Sequence, residues 1–323
     1  MMKVEKQVKY LVSGGLTLFA LASAAPAHAV SFVSTYRPPG NITEVGTIDP
    51  ANGKYTTYNS FGLQLTDIAL SSTNQVYGVT YDQLYILPAA APGSIIPGSG
   101  QQQIVGNLGF TGINGLAFDN KGDLYGLGGR SNNGGSQGIG TPGFYKISTS
   151  APSGATLATL VNSLGAFAPT AFGDGISTNG DSSDLVFNPS TGEFLAVSGN
   201  NNAQLFSIDL NGTAKAIGNG TGFSFVSGLT LDGGVLRGYT TNKNQITIDI
   251  ATGVGAFDKQ VSGIVVLLDG SNASIGGAAS TISATAVPEP SAMGGFAFLG
   301  VCFGARTLLK RKQRLIDDAS DAE

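Results

Sequence analysis

Four stretches of the chain repeat one pattern: "DIALSSTNQVYGV" (67–79), "GLAFDNKGDLYGL" (115–127), "DLVFNPSTGEFLAV" (184–197) and "GLTLDGGVLRGY" (228–239). Each has alternating apolar residues, a polar turn with Gly or Asn, then an apolar pair and a small residue. The first two align without a gap, with Ile68 over Leu116, Leu70 over Phe118, Tyr77 over Tyr125 and Gly78 over Gly126. A second element follows each: "DQLYIL" (82–87), "GFYKIS" (143–148), "AQLFSIDLNG" (203–212) and "NQITIDIATG" (244–253). Period-2 alternation in short runs broken by Gly, Asn and Asp argues antiparallel β-structure.

Equivalent positions (Ile68, Leu116, Leu185, Leu229) lie 48, 69 and 44 residues apart. A period of about 45 residues holding three or four strands is that of a β-propeller blade. The long interval contains an insertion, the Ala/Ser/Thr/Gly-rich stretch 148–175. The partial repeat at 31–60, which includes "VGTIDPANG", lacks a first strand. Pairing it with "GIVVLLDG" (263–270) would close the ring and leave no sheet edge open. The expected fold is all-β, a propeller of five or six blades with five favoured by the count, followed by a single C-terminal transmembrane helix. A sandwich would not reuse one signature four times, and a solenoid would show shorter, stricter periods.

The chain ends bound where this domain works. Lys3, Lys6 and Lys9, a mostly apolar run from Tyr10 to Ala25, and Ala27-His28-Ala29 have the layout of a secretory signal peptide cleaved after Ala29. The single His is His28 and the single Cys is Cys302, so residues 30–286 hold no His, Cys or Trp. That excludes Ser-His-Asp and Cys-His catalysis, Cys/His zinc sites and disulfides from this region. Its 9 Lys and Arg against 15 Asp and Glu are thinly scattered, which argues against nucleic acid and against attraction to anionic lipid.

Near the other end, Ala292 to Ala305 is uncharged and apolar. As a helix it spans about 21 Å at ~1.5 Å per residue, short of a ~30 Å hydrocarbon core. Thr307-Leu308-Leu309 would add a turn with Arg306 snorkelling. Arg306, Lys310, Arg311, Lys312 and Arg314 would then stay cytoplasmic, in agreement with the N-terminal lysines. Preceded by Val287-Pro288-Glu289-Pro290-Ser291, this order resembles the PEP-CTERM sorting signal of exported proteins in Gram-negative bacteria. The resemblance implies recognition by a membrane-embedded exosortase, removal of the helix, and delivery from the inner membrane to the outer surface or extracellular matrix. It covers 287–314; the acidic tail 315–323 continues past the family's usual stop. The organisation is then signal peptide 1–29, exported domain 30–286, sorting signal 287–314 and a short cytosolic tail.

Chemistry within the domain is sparse. "DNKGD" places Asp119 and Asp123 like part of a calcium loop, without the later bidentate Glu, and a hairpin turn is the plainer reading. Asp174, Asp181 and Asp184 sit in a Gly/Ser/Asn-rich stretch where solvated turn carboxylates are expected. Calcium is the cation such oxygen ligands would suit, but no catalytic residue, cofactor or tight metal site is expected. Asp49, Asp209 and Asp249 recur at the ends of Ile-Asp strands and suggest Asx turns. Tyr77 and Tyr125 fall on strands, where blade packing is the plainer role than a sugar-stacking platform. The Gly-rich stretch 128–143 lacks the order of a phosphate-binding loop. The expected function is a non-catalytic binding or structural protein of the envelope or polysaccharide matrix, with exosortase, the secretion machinery and exopolysaccharide or envelope proteins as partners. The alternative is a calcium-dependent propeller hydrolase or lactonase, which would need carboxylates converging on the central channel; four at equivalent blade positions are not evident.

Overall fold

The computed structural model describes residues 31–37, 42–88, 102–128, 141, 143–150, 156–163, 184–197, 201–264 and 273–280. The signal peptide, the sorting motif Val287–Ser291, the apolar run and basic cluster after it, Asp174, Asp181 and most of the Gly-rich stretch lie outside them.

The described residues form five four-stranded antiparallel sheets around a central axis. Blade 2 runs from the inside outward as β4 (Asp67–Leu70), β5 (Val76–Val79), β6 (Gln83–Leu87) and β7 (Gln103–Asn107). Blade 3 is β8 (Gly115–Phe118), β9 (Leu124–Gly128), β10 (Gly143–Ile147) and β11 (Ala158–Ser163). Blade 4 is β12 (Asp184–Asn188), β13 (Glu193–Val197), β14 (Leu205–Ile208) and β15 (Ala214–Ile217). Blade 5 is β16 (Val226–Asp232), β17 (Val235–Thr240), β18 (Asn244–Ile248) and β19 (Gly255–Gln260). Blade 1 is composite: β1 (Ser31–Arg37), β2 (Ile42–Asp49) and β3 (Lys54–Phe61) stand outside β20 (Ser274–Ala279).

Burial follows position in the blade. Every residue of the inner strands β4, β8 and β12 is buried, whereas β7, β11 and β19 are largely exposed. This explains why each repeat opens on a short apolar run and why its fourth strand is weak in sequence. The turns are local chemistry. Gly233 and Gly234, both at positive φ, join Asp232 to its partner Val235, a two-residue connection that only residues tolerant of left-handed backbone accept. The Asx turns are present as expected: Asp49 Oδ1 accepts from the Ala51 N–H, Asp209 Oδ1 from Asn211 and Thr213, and Asp249 Oδ1 from Ala251 and Thr252.

The core is divided among the five junctions between neighbouring blades. At the blade 3–4 junction Tyr125 stacks on Phe144, and Phe194 meets Tyr125, Phe144 and Phe187. Tyr77 packs edge-on against Phe118 between blades 2 and 3. Both tyrosines therefore serve packing. The last junction closes the ring: Tyr239 of blade 5 is fully buried against Val33, Ile48, Ile275 and Ala278 of blade 1.

Two expectations are corrected. The strand that completes the composite blade is β20, not 263–270; Gly263 and Ile264 lie outside any strand, and the rest of that segment is not among the described residues. β20 carries the small residues Gly276, Gly277, Ala278 and Ala279 where the other inner strands carry larger apolar ones. The stretch 148–175, read as an insertion, contains the outer strand β11 of blade 3.

Candidate functional site: paired carboxylates in the central channel

The five inner strands touch one another in a closed ring, β20–β4–β8–β12–β16 and back to β20. One layer of that ring is built from equivalent positions. Asp67, Gly115 and Asp184 open β4, β8 and β12, and Gly228 and Gly277 hold the same place beside Leu229 and Ala278. Two carboxylates thus project where three glycines leave room. A methyl group on Gly277 would lie 2.1 Å from Asp67 Oδ1 and 2.9 Å from Asp67 Cα.

Both carboxylates are completely buried. Asp184 is held by backbone donors from three blades. Its Oδ1 accepts from the Leu185 N–H, and its Oδ2 accepts from the N–H groups of Leu229 and Ala278, the latter at 3.2 Å. Asp67 differs. Neither of its oxygens has a partner at hydrogen-bonding geometry, although Asp184 and the N–H groups of Ile68 and Leu116 are close enough to affect its ionisation. Burial first, and then the facing negative charge of Asp184, push the Asp67 carboxyl well above the usual carboxylate range. Burial raises Asp184 as well, opposed by Asp67 and its backbone donors. Two carboxylates facing each other in a dry site cannot both stay ionised cheaply.

The opposite end of the inner strands is apolar. A cavity of about 110 Å³ there is lined by Leu70, Phe118, Phe187, Leu231, Ala279 and Ser280, among others.

The sequence-predicted candidates fall elsewhere. Asp119 is a turn residue: its Oδ1 accepts from Lys121 and Asp123 N–H groups, both at 2.9 Å. Asp123 forms an exposed ion pair with Lys146 at 2.6 Å. The hairpin reading of "DNKGD" therefore stands. Asp184, expected to be a solvated loop carboxylate, instead heads an inner strand and is buried; the β12 backbone begins one residue before its apolar run. Asp67 was not singled out at all. Its signal was present in the first letters of the aligned repeats, Asp, Gly, Asp, Gly. Among the described residues no group of three or more acidic, His or Cys side chains is arranged to hold a metal ion.

No family model and no curated protein matches this chain. Solved structures do. A protein of unknown function from Bacteroides thetaiotaomicron is 15% identical with a TM-score of 0.43, over 76% of this chain and 61% of that one. A luciferin-regenerating enzyme is 12% identical with a TM-score of 0.39, over 77% and 90%. An auxiliary nutrient binding protein from Bacteroides ovatus is 11% identical with a TM-score of 0.39, over 77% and 61%. The chain thus spans under two thirds of the length of the first and third of these.

Proposed function

We propose that this chain is an exported surface protein, sorted through its Pro-Glu-Pro element, whose propeller serves as a non-catalytic binding or structural component of the envelope or its polysaccharide matrix. The observation that carries the reading is the pairing of Phe32 with Ala279. It puts the start of the first strand beside the end of the last, at the end of the channel where Ala279 and Ser280 line the apolar cavity. A signal before Ser31 and an anchor after Ser280 would then join the domain on one side. That geometry suits a precursor tethered to the inner membrane at both ends, with the opposite end of the propeller turned away from the bilayer.

Replacing Pro288, Glu289 and Pro290 with Ala in a host that carries an exosortase tests the sorting step. The reading predicts that the variant accumulates in the inner-membrane fraction while the wild type reaches the outer surface. Identical distribution of the two would count against it.

One observation favours the second reading, a calcium-dependent hydrolase or lactonase: two carboxylates do meet at equivalent inner positions. The surroundings weigh the other way, because Asp184 is engaged by three N–H donors and both side chains are sealed from solvent. Calorimetric titration with calcium and a hydrolase and lactonase substrate panel separate the two readings. Micromolar affinity with calcium-dependent turnover, lost in Asp67→Asn, would establish the enzyme.

A further inference from the structure

We propose that Asp67 and Asp184 share one proton, resident on Asp67, and that this proton is a structural element of the closed ring, so that the fold loosens as its surroundings become alkaline.

The hydrogen bonds that Asp184 accepts all come from backbone donors, the N–H groups of Leu185, Leu229 and Ala278. Such a cage stabilises an anion and leaves little for a cation to bind. Asp67 has no bonded donor, is fully buried, and lies against Gly277, the residue before Ala278, which donates to Asp184. A protonated Asp67 turns one acceptor into a donor and removes a second buried charge. An ionised Asp67 would leave two buried negative charges side by side, with the bonded donors all on Asp184. The proton therefore belongs on Asp67 and the charge on Asp184.

Among the described residues no cationic side chain is a partner of either carboxylate. On the five inner strands the remaining ionisable group is Asp232, which ends β16 at the far side and lies 3.5 Å from Arg237. The strands next outward carry Tyr36 and Arg37 on β1, Tyr77 on β5, Tyr125 on β9, Glu193 on β13, and Arg237 and Tyr239 on β17. Burial pushes Tyr125 and Tyr239 up, so these phenols hold their protons to higher pH than an exposed tyrosine.

The sign follows from linkage. Unfolded, Asp67 titrates near the ordinary value of about 4. Folded, it holds its proton to higher pH. The proton's contribution is fully present below about pH 4 and is lost as pH rises through the folded value; within that window the unfolding constant grows by up to about tenfold per pH unit.

The test uses the purified full chain in detergent, unfolded by urea and followed by tyrosine fluorescence, at about pH 5 and about pH 8. The wild-type midpoint should fall between the two. Asp67→Asn keeps the shape of the protonated acid without the titration. It should show a flatter dependence and exceed the wild type at the higher pH. Asp184→Asn loses an acceptor facing backbone donors and should be weaker at both. A pH-independent wild-type midpoint, or an Asp67→Asn slope equal to the wild type's, would overturn the proposal. So would a calcium-dependent rise in midpoint that Asp67→Asn abolishes, since a cation would then hold the site. If Asp67→Asn does not fold, infrared spectroscopy of the wild type decides. A protonated-carboxyl band at neutral pH in the folded chain, lost on unfolding, supports the shared proton, and its absence in the folded chain refutes it.

Discussion

Gly277 of the closing strand presses its bare Cα against the carboxylate of Asp67 in the neighbouring blade, so closely that a single methyl group there would sit 2.1 Å from Asp67 Oδ1. The contact joins the last inner strand of the chain to the first. Gly277→Ala should therefore destabilise the fold by about 1–3 kcal/mol or more, the usual cost of overpacking. Asp67→Gly added to Gly277→Ala should recover part of that loss, since it removes the clashing oxygen. Urea midpoints of the two variants measure both effects.

Ring closure depends on β20. A chain ending before Ser274 leaves β1 without its inner partner and removes Ile275 and Ala278 from the Tyr239 junction. It should lose cooperative melting, while a chain ending after Ser280 should keep it. Circular dichroism of the longer form should be dominated by β-structure, and reducing agent should not shift its melting, because residues 30–280 contain no Cys.

Phe194 is fully buried and meets three other aromatic rings between blades 3 and 4. Phe194→Ala should cost about 3–5 kcal/mol, as large aromatic truncations in cores do. Exposed Phe257, on the outer strand β19, is the matched control and should cost far less.

Asp249 has the opposite pH sign to the channel pair. The N–H and hydroxyl of Thr252, with the N–H of Ala251, lower its carboxyl below the usual range. Its contribution is present above the ordinary carboxylate value and is lost as pH falls through the lowered one. Asp249→Ala should therefore flatten the acid limb of a stability–pH profile and leave the alkaline limb unchanged, measured by thermal melting across the acid range.

The repeat, the antiparallel strands, the Asx turns and the packing role of Tyr77 and Tyr125 were legible because each is written locally, in alternation and in turn residues. The closing strand was not. "SIGGAA" carries few of the β-branched and aromatic residues that mark strands, since Gly277 packs against Asp67 and Ala278 against Tyr239, and its partner β1 is at the other end of the chain. Asp184 was misread for a related reason: a carboxylate that opens a strand looks like a turn residue until the neighbouring blades are seen to bury it. The Asp/Gly alternation at Asp67, Gly115, Asp184 and Gly228 was visible in the aligned repeats, but its meaning depends on those positions converging at one axis.

The proposal that this propeller is exported and released from a sorting anchor is tested most directly by intact mass spectrometry of the protein recovered from the native envelope. The account predicts a species lacking Met1–Ala29 and lacking the apolar run after Ser291. A mass that retains Arg306 to Glu323 would contradict it and identify a permanent membrane anchor.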